Sequence, residues 1–117
     1  KEGTSIFHSV MVHYENDLPV QIEDRCVNAE IVPEYLAQDY SQTTPHAYLS
    51  LIAPLTEGEH IVEAVRASAE ECALLNIKEH DPCLLIRRKT WSASSIVSHA
   101  RLLFPGSRYR LQGRFMS

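Results

Sequence analysis

The sequence predicts an α+β fold, in which a six-stranded antiparallel sheet carries helices packed against it. Residues Ile6 to Glu15 and about Val20 to Asn28 read as two strands, and the polar turn between them is typical of a hairpin. The last third of the chain contains three more runs of strand length with short links, as in an antiparallel meander. Helix-start signals lie between these two strand-rich regions.

The middle of the chain holds those helix signals. Thr44-Pro45 predicts a helix start, because threonine caps a helix and proline is favoured at its first position. Residues Glu59 to Arg66 alternate as a third strand. Ser68 and Glu71 have the spacing of a capping box, which opens a second helix running through Leu75.

The C-terminal part predicts the remaining three strands. The strands are Cys83 to Trp91, Ile96 to Phe104 and Arg108 to Phe115. Short polar links, which contain serine, proline and glycine, separate them. With the hairpin and the third strand, this makes a sheet of six.

Length and composition exclude several classes of protein. The chain has 117 residues, a size typical of one domain, and its 44% hydrophobic and 22% charged residues are ordinary for a globular protein. A net charge of −4 argues against this region binding nucleic acid by itself. No apolar run suits a membrane span, and no secretory signal is visible. The chain begins with Lys1, so we expect a fragment of a longer protein.

Cysteine and histidine spacing predicts no metal site, and no cofactor is predicted. Cys26, Cys72 and Cys83 are odd in number and widely spaced, which favours free thiols in a reducing cytoplasm. The six histidines lack the close spacing of a zinc site. No nucleophile elbow, phosphate loop or dinucleotide fingerprint occurs, and we therefore do not predict an enzyme.

Charged residues within predicted strands are the best candidates for ligand binding. Arg87 and Arg88 are consecutive, so one of them faces the less exposed layer, and Arg101 lies between two apolar residues. A covered arginine suits a carboxylate or phosphate. The alternative is that these arginines lie on a solvated face or pair with Glu23 or Asp24.

Two further positions have both a functional and a structural interpretation. Glu23 and Asp24 are adjacent in a strand and point apart, so they cannot share a substrate atom. One of them could bind a polar ligand, or both could form surface ion pairs. His46 falls in the first turn of the helix that starts at Thr44-Pro45, where an anion is favoured, although such a histidine can also be simply exposed.

Four segments, in their order along the chain, resemble a UTRA domain, the ligand-sensing part of GntR-type bacterial repressors. They are Glu15 to Arg25, Tyr48-Leu49, Leu85 to Trp91 and Phe104 to Leu111. Three further segments, Gln21 to Asn28, Gln38-Asp39-Tyr40 and Arg108 to Phe115, resemble the branch of that family that regulates histidine utilisation. The resemblance covers essentially the whole chain.

This resemblance implies an architecture and a function. Residues 1–117 would form one effector-binding domain with a chorismate-lyase-like fold of two related halves, while a winged-helix DNA-binding domain would lie upstream, outside this chain. The protein would be a cytoplasmic, homodimeric repressor that contacts DNA through the upstream domain and responds to a small effector. In the histidine-utilisation branch that effector is urocanate, a planar imidazole carrying a carboxylate.

The resemblance also implies site residues. The family's glutamate after the turn proline is Glu23, and His13 stands where many sugar-phosphate-binding members have arginine. His46 and Tyr48 occupy a Ser-x-Tyr segment with His in place of Ser, while Tyr109 belongs to a closing Asp-Arg-Tyr pattern with Ser107 in place of Asp. The predicted effector-binding residues are His13, Glu23, His46, Tyr48, Arg101 and Tyr109, with Arg101 as the partner of the carboxylate.

Three alternatives to a urocanate sensor remain open at this level. The same fold could carry an enzyme of the chorismate-lyase type, because fold does not determine function. The domain could sense another metabolite, such as a sugar phosphate. It could also be a pure dimerisation module, which would have no closed polar pocket.

Overall fold

A computed structural model describes residues 5–116 as one sheet with two helices. The strand order is β1-β2-β5-β4-β3, and every neighbouring pair is antiparallel. The elements are β1 (Ile6–Glu15), β2 (Leu18–Asn28), a 3₁₀ turn (Tyr35–Ala37), α1 (Pro45–Ile52), β3 (Glu57–Arg66), α2 (Ala69–Leu75), β4 (Pro82–Ser92) and β5 (Ser95–Pro105). The predicted α+β class and antiparallel sheet are confirmed.

Local chemistry explains where these elements begin and turn. Asn16 and Asp17 adopt left-handed backbone angles, with φ of 52° and 65°, and this allows the tight β1–β2 hairpin. The Thr44 hydroxyl accepts a hydrogen bond of 3.1 Å from the Ala47 amide at the start of α1. At the start of α2, the capping box predicted at Ser68 is present.

The prediction of a sixth strand at Arg108 to Phe115 is wrong, since residues 109–116 form no regular structure and the described part of the chain has five strands. The segment has strand-like alternation, but a strand also needs a hydrogen-bonding partner. Arg108 instead donates hydrogen bonds to the carbonyls of Pro19 and Asn76, each at 2.8 Å. These bonds hold the start of the segment beside β2 and α2, and no edge strand pairs with it.

The two sides of the sheet carry different layers. On the side that we call the α2 face, Ile22, Leu85 and Leu103 pack with Cys72 and Leu75 of α2. On the other side, which we call the α1 face, Val27 of β2 packs with residues of the 3₁₀ turn and of α1. Because directly opposed residues in antiparallel strands point to the same side, the pairing register tells which face each side chain occupies.

Among residues 5–116, no helix is both long and apolar enough to span a membrane.

Candidate binding site

A line of hydrogen-bonded polar side chains crosses the α1 face from β1 to β4. His13 bonds to Glu23 through Nε2 and Oε1 at 2.7 Å, and Arg25 donates from Nε to Glu23 Oε2 at 2.6 Å. Arg25 Nη1 donates to the Ser98 hydroxyl at 3.1 Å. The Ser98 hydroxyl oxygen in turn lies 2.9 Å from the Thr90 hydroxyl oxygen. This network joins four strands, and its polar groups satisfy one another.

Glu23 and Arg25 are the charged centre of this network. Their side chains are only 6% and 2% exposed. Burial by itself raises the pKa of Glu23, but the hydrogen bond from His13 and the charge of Arg25 together bring that pKa below its ordinary value. Glu23 is therefore ionised at neutral pH, and it neutralises the buried guanidinium.

A groove of about 510 Å³ opens beside this network, between the start of α1 and the strands β3 and β4. Its lining residues are His46, Leu55, Thr56, Glu57, Gly58, His60, Arg88 and Thr90. Thr90 belongs to both the network and the groove, so the buried polar network meets the groove at this residue. A volume of this size suits a small organic molecule.

Arg88 gives the groove a positive charge. Its Nε donates to Nε2 of His60 at 2.8 Å, which requires that nitrogen to be unprotonated. Within residues 5–116, no carboxylate lies within ion-pairing distance of Arg88. Burial, followed by the charge of Arg25, lowers the pKa of Arg88, as expected of a cation without a counterion.

The two groove histidines are held neutral. Burial, and then the charge of Arg88, lower the pKa of both His46 and His60 from the ordinary value of 6.5. A neutral imidazole both donates and accepts a hydrogen bond. Among the described residues, the groove therefore combines one guanidinium that has no carboxylate within ion-pairing distance with two neutral imidazoles, which is a chemistry suited to a small anion with a polar ring.

Aromatic residues pack around the network on the α1 face. The Tyr35 hydroxyl lies 2.9 Å from that of Ser9, and the Tyr35 and Tyr40 ring centroids are 5.3 Å apart. Tyr48 packs against the same apolar cluster. Tyr109 stacks on Phe104 with ring centroids 3.8 Å apart, farther along the sheet.

The structure brings five of the six predicted site residues to one face and places the sixth on the other. His13 and Glu23 are in contact, His46 lines the groove, and Tyr48 and Tyr109 pack on the same side of the sheet. Arg101 instead lies on the α2 face, opposite Asp24 in the register, and its Nη1 donates to Glu71 Oε2 at 2.6 Å. It already has a carboxylate partner and does not reach the groove.

Strand alternation predicted several of these placements correctly. Arg87 is exposed and pairs with Glu63 at 2.8 Å, while Arg88 is the covered member of the two. Asp24 points away from Glu23 and bonds to His8 at 2.6 Å.

Sequence reasoning missed the roles of Arg25 and His60. Arg25 follows Glu23 by two positions on the same strand face, and this spacing was an available signal. The role of His60 depends on the β3–β4 register, in which it stands opposite Arg88.

A second cavity of similar volume lies where β2 ends and β5 begins, near Cys26, Asn28 and Ile96, and Ser98 of the network also lines it. Neither the buried ion pair nor a strand arginine lines it, so it is a weaker candidate. In the described range, 5–116, no three His, Cys, Asp or Glu side chains are grouped so that they could hold a metal ion.

Comparison with known proteins supplies the family. The UTRA domain model matches residues 1–110. The chain belongs to the UTRA family. This UTRA domain is 82% identical over 116 residues to the histidine utilization repressor of Klebsiella aerogenes, a match that covers 99% of the chain and 48% of that protein. The chain thus spans about half the length of this curated relative.

Solved structures agree with the fold of this UTRA domain. The C-terminal domain of the histidine utilization repressor from Pseudomonas syringae pv. tomato str. DC3000 is 62% identical, with a TM-score of 0.95 over 100% of this chain and 83% of that one. A GntR-family transcriptional regulator from Enterococcus faecalis V583 is 19% identical, with a TM-score of 0.84 over 97% and 83% of the two chains. The second match supports the fold alone.

Proposed function

We propose that this UTRA domain is the effector-binding part of a GntR-type repressor of histidine-utilisation genes, and that its groove binds urocanate. Membership of the UTRA family and the curated repressors that match it support a regulator rather than an enzyme. Arg88 carries the ligand assignment, because it is a half-buried guanidinium in the groove and no carboxylate of residues 5–116 lies within ion-pairing distance of it.

The chemistry of the groove supports a ligand with two different ends. A carboxylate would accept charge-assisted hydrogen bonds from Arg88, whose fork geometry suits a planar anion. The imidazole ring of the ligand would bind near His46. The Glu57 carboxylate, which lines the same groove, would accept a hydrogen bond from the N–H of that ring. Urocanate carries a carboxylate and an imidazole joined by a short planar linker.

The remaining predicted residues have distinct proposed roles. His13 and Glu23, with Arg25, belong to the polar network that meets the groove at Thr90 and would support the groove from behind. Tyr48 and Tyr109 pack elsewhere on the same face of the sheet. We leave Arg101 out of the site because it lies on the opposite face.

The proposal includes partners beyond the effector. We propose a homodimer, since operator-binding repressors commonly match two half-sites with twofold symmetry. DNA would be contacted by a winged-helix domain outside this chain, as the acidic balance and the length of the relative favour. We propose that such a repressor works in the cytoplasm.

Effector binding would change operator affinity only if the effector binds two states of the dimer with different affinities.

Calorimetric titration with urocanate tests the ligand and the site together. Arg88→Ala should weaken binding by about 1.5–3 kcal/mol, or roughly 10- to 150-fold, because a charge-assisted hydrogen bond is lost. Arg87→Ala is the matched control: it is the adjacent residue, exposed on the other face, and its affinity should match that of the wild type. Equal affinity of Arg88→Ala and wild type would refute the groove assignment.

A ligand panel separates urocanate from the alternatives. Thermal-shift measurements with urocanate, histidine, imidazolepropionate and sugar phosphates should show the largest shift with urocanate. A larger shift with a sugar phosphate would move the assignment to a phosphosugar sensor, since Arg88 also suits phosphate. No shift with any of them would favour a pure dimerisation module.

A further inference from the structure

We propose that His60 is the positioning residue of the groove: its neutral ring holds Nε of Arg88 in place, and protonation of that ring releases Arg88 and weakens effector binding. The inference rests on the proposed function, because it explains how the guanidinium assigned to the effector's carboxylate is oriented. It starts from the hydrogen bond of 2.8 Å that Arg88 Nε donates to His60 Nε2.

His60 is the cross-strand neighbour of Arg88 that is able to hold it. Arg88 stands opposite Ala100 of β5 on one side and opposite His60 of β3 on the other. The Ala100 methyl group offers no hydrogen bond, whereas a neutral imidazole offers one acceptor nitrogen. Among residues 5–116, the bond to His60 is the one side-chain hydrogen bond that Arg88 makes. The orientation of the guanidinium in the groove therefore depends on His60.

The bond to His60 leaves the outer end of the guanidinium free for a ligand. Arginine has five N–H donors, and the bond through Nε uses one of them. Within the described part of the chain, every buried side-chain nitrogen and oxygen has a hydrogen-bond partner. The two Nη groups of Arg88 have no partner there, so they reach solvent. Nη1 and Nη2 form a fork that fits the two oxygens of a carboxylate, and an arginine already held by Nε loses less freedom when it binds.

This arrangement requires the neutral form of His60. A protonated imidazole has no acceptor nitrogen, so it cannot receive the Nε–H of Arg88, and its charge repels the guanidinium. Burial, and then the charge of Arg88, lower the pKa of His60 from its ordinary value of 6.5. The ring is therefore neutral at neutral pH, and it becomes protonated only as the pH falls below 6.5. Positioning by His60 thus predicts that effector affinity is lost in acid.

Charge alone predicts the opposite direction. A protonated His60 adds a second positive charge to the groove, and by itself this charge would strengthen the binding of an anion as the pH falls. The sign of the pH dependence therefore distinguishes positioning by a neutral ring from simple attraction.

Other groups near the groove also contribute to the pH dependence, and a comparison with a His60 variant removes their effect. The imidazole of urocanate itself titrates in the range of a histidine side chain. Because the ligand and the remaining side chains are the same for wild type and variant, the ratio of the two affinities isolates His60. The ionisable groups that surround His60 and Arg88 are His46 of α1, Glu57 of β3, Glu23 and Arg25 of β2, and Tyr109 beyond β5.

Calorimetric titration with urocanate between about pH 7.5 and pH 5, the range in which histidine changes charge, tests the role of His60. His60→Gln is the conservative rescue, because the glutamine amide oxygen takes the place of Nε2 as an acceptor and does not titrate. At the upper pH, His60→Gln should retain wild-type affinity, whereas His60→Ala should bind about three- to tenfold more weakly, through the loss of one hydrogen bond.

The pH series carries the decisive comparison. Toward the lower pH, the affinity of wild type relative to His60→Gln should fall at least about twofold, as wild type approaches His60→Ala. His80→Gln is the matched control, since it makes the same change at an exposed histidine in the turn between α2 and β4. It should follow wild type at every pH.

The outcomes separate this inference from the proposed function. Equal affinity of His60→Ala and wild type at the upper pH, with Arg88→Ala weakened, would overturn the role of His60 and leave the groove assignment standing. A ratio of wild type to His60→Gln that stays constant or rises in acid would overturn the release of Arg88. No binding of urocanate to wild type, or unchanged affinity in Arg88→Ala, would overturn both proposals. Wild-type affinity of His60→Gln also shows that this variant is folded, so its pH series decides the question even if His60→Ala does not fold.

Discussion

Replacing Glu23 by glutamine should strongly destabilise the domain, because it leaves the Arg25 guanidinium buried without a counterion. The two side chains are 6% and 2% exposed, and the bond between them is 2.6 Å. Removing one partner of such a buried pair costs about 3–5 kcal/mol of unfolding free energy. At about 4 °C per kcal/mol for a domain of this size, the melting temperature should fall by about 12–20 °C.

Urea unfolding at pH 7 measures this loss, and Asp24→Asn is the matched control. Asp24 is the adjacent carboxylate, and its pair with His8 is largely exposed, so its loss should cost less than about 1 kcal/mol. A further substitution, Arg25→Met, in the Glu23→Gln background should recover much of the lost stability, because an apolar side chain leaves no buried charge.

The pH dependence provides a second test of the same pair. The pKa of Glu23 is below its ordinary value of 4.5 in the folded protein, so its ionised form stabilises the fold above about that pH. This contribution is lost as the pH falls through the lower, folded-state pKa. The stability gap between wild type and Glu23→Gln should therefore narrow in acid. A loss below about 1 kcal/mol at pH 7, or a gap that is constant into acid, would refute the reasoning.

Two local predictions concern a turn and a cap. Gly106→Ala should cost about 1–3 kcal/mol of unfolding free energy, measured by urea unfolding, because the new Cβ would lie 2.8 Å from the Pro82 carbonyl oxygen. Gly113→Ala is the control and should leave the unfolding free energy unchanged, because no atom lies within 4 Å of its new Cβ. Ser68→Ala should lower the unfolding free energy by about 0.5–2 kcal/mol and speed hydrogen exchange at the Glu71 amide, which donates to the Ser68 hydroxyl. Ser94→Ala is the control and should change neither the unfolding free energy nor that exchange rate. Equal behaviour within either pair of variants would contradict the corresponding account.

The sequence by itself determined the local elements. The predicted span of β1 matches the observed one, and the caps at Thr44 and Ser68 lie where the spacing placed them. Caps act over three residues and strand alternation over two, so both are readable without knowing the rest of the fold. For the same reason, alternation separated Arg87 from Arg88 and Glu23 from Asp24.

Only the tertiary structure decided which of these side chains meet. Alternation says that neighbours point apart, but it does not say which layer covers which face. The sequence therefore predicted Arg101, and not Arg88, as the partner of the carboxylate, whereas α2 places Glu71 beside Arg101. The order β1-β2-β5-β4-β3 brings Arg25 to Ser98, 73 positions away, and the register of β3 puts His60 on Arg88. The C-terminal segment failed as a strand for a related reason: alternation is a property of one segment, whereas a strand exists only when a second strand accepts its hydrogen bonds.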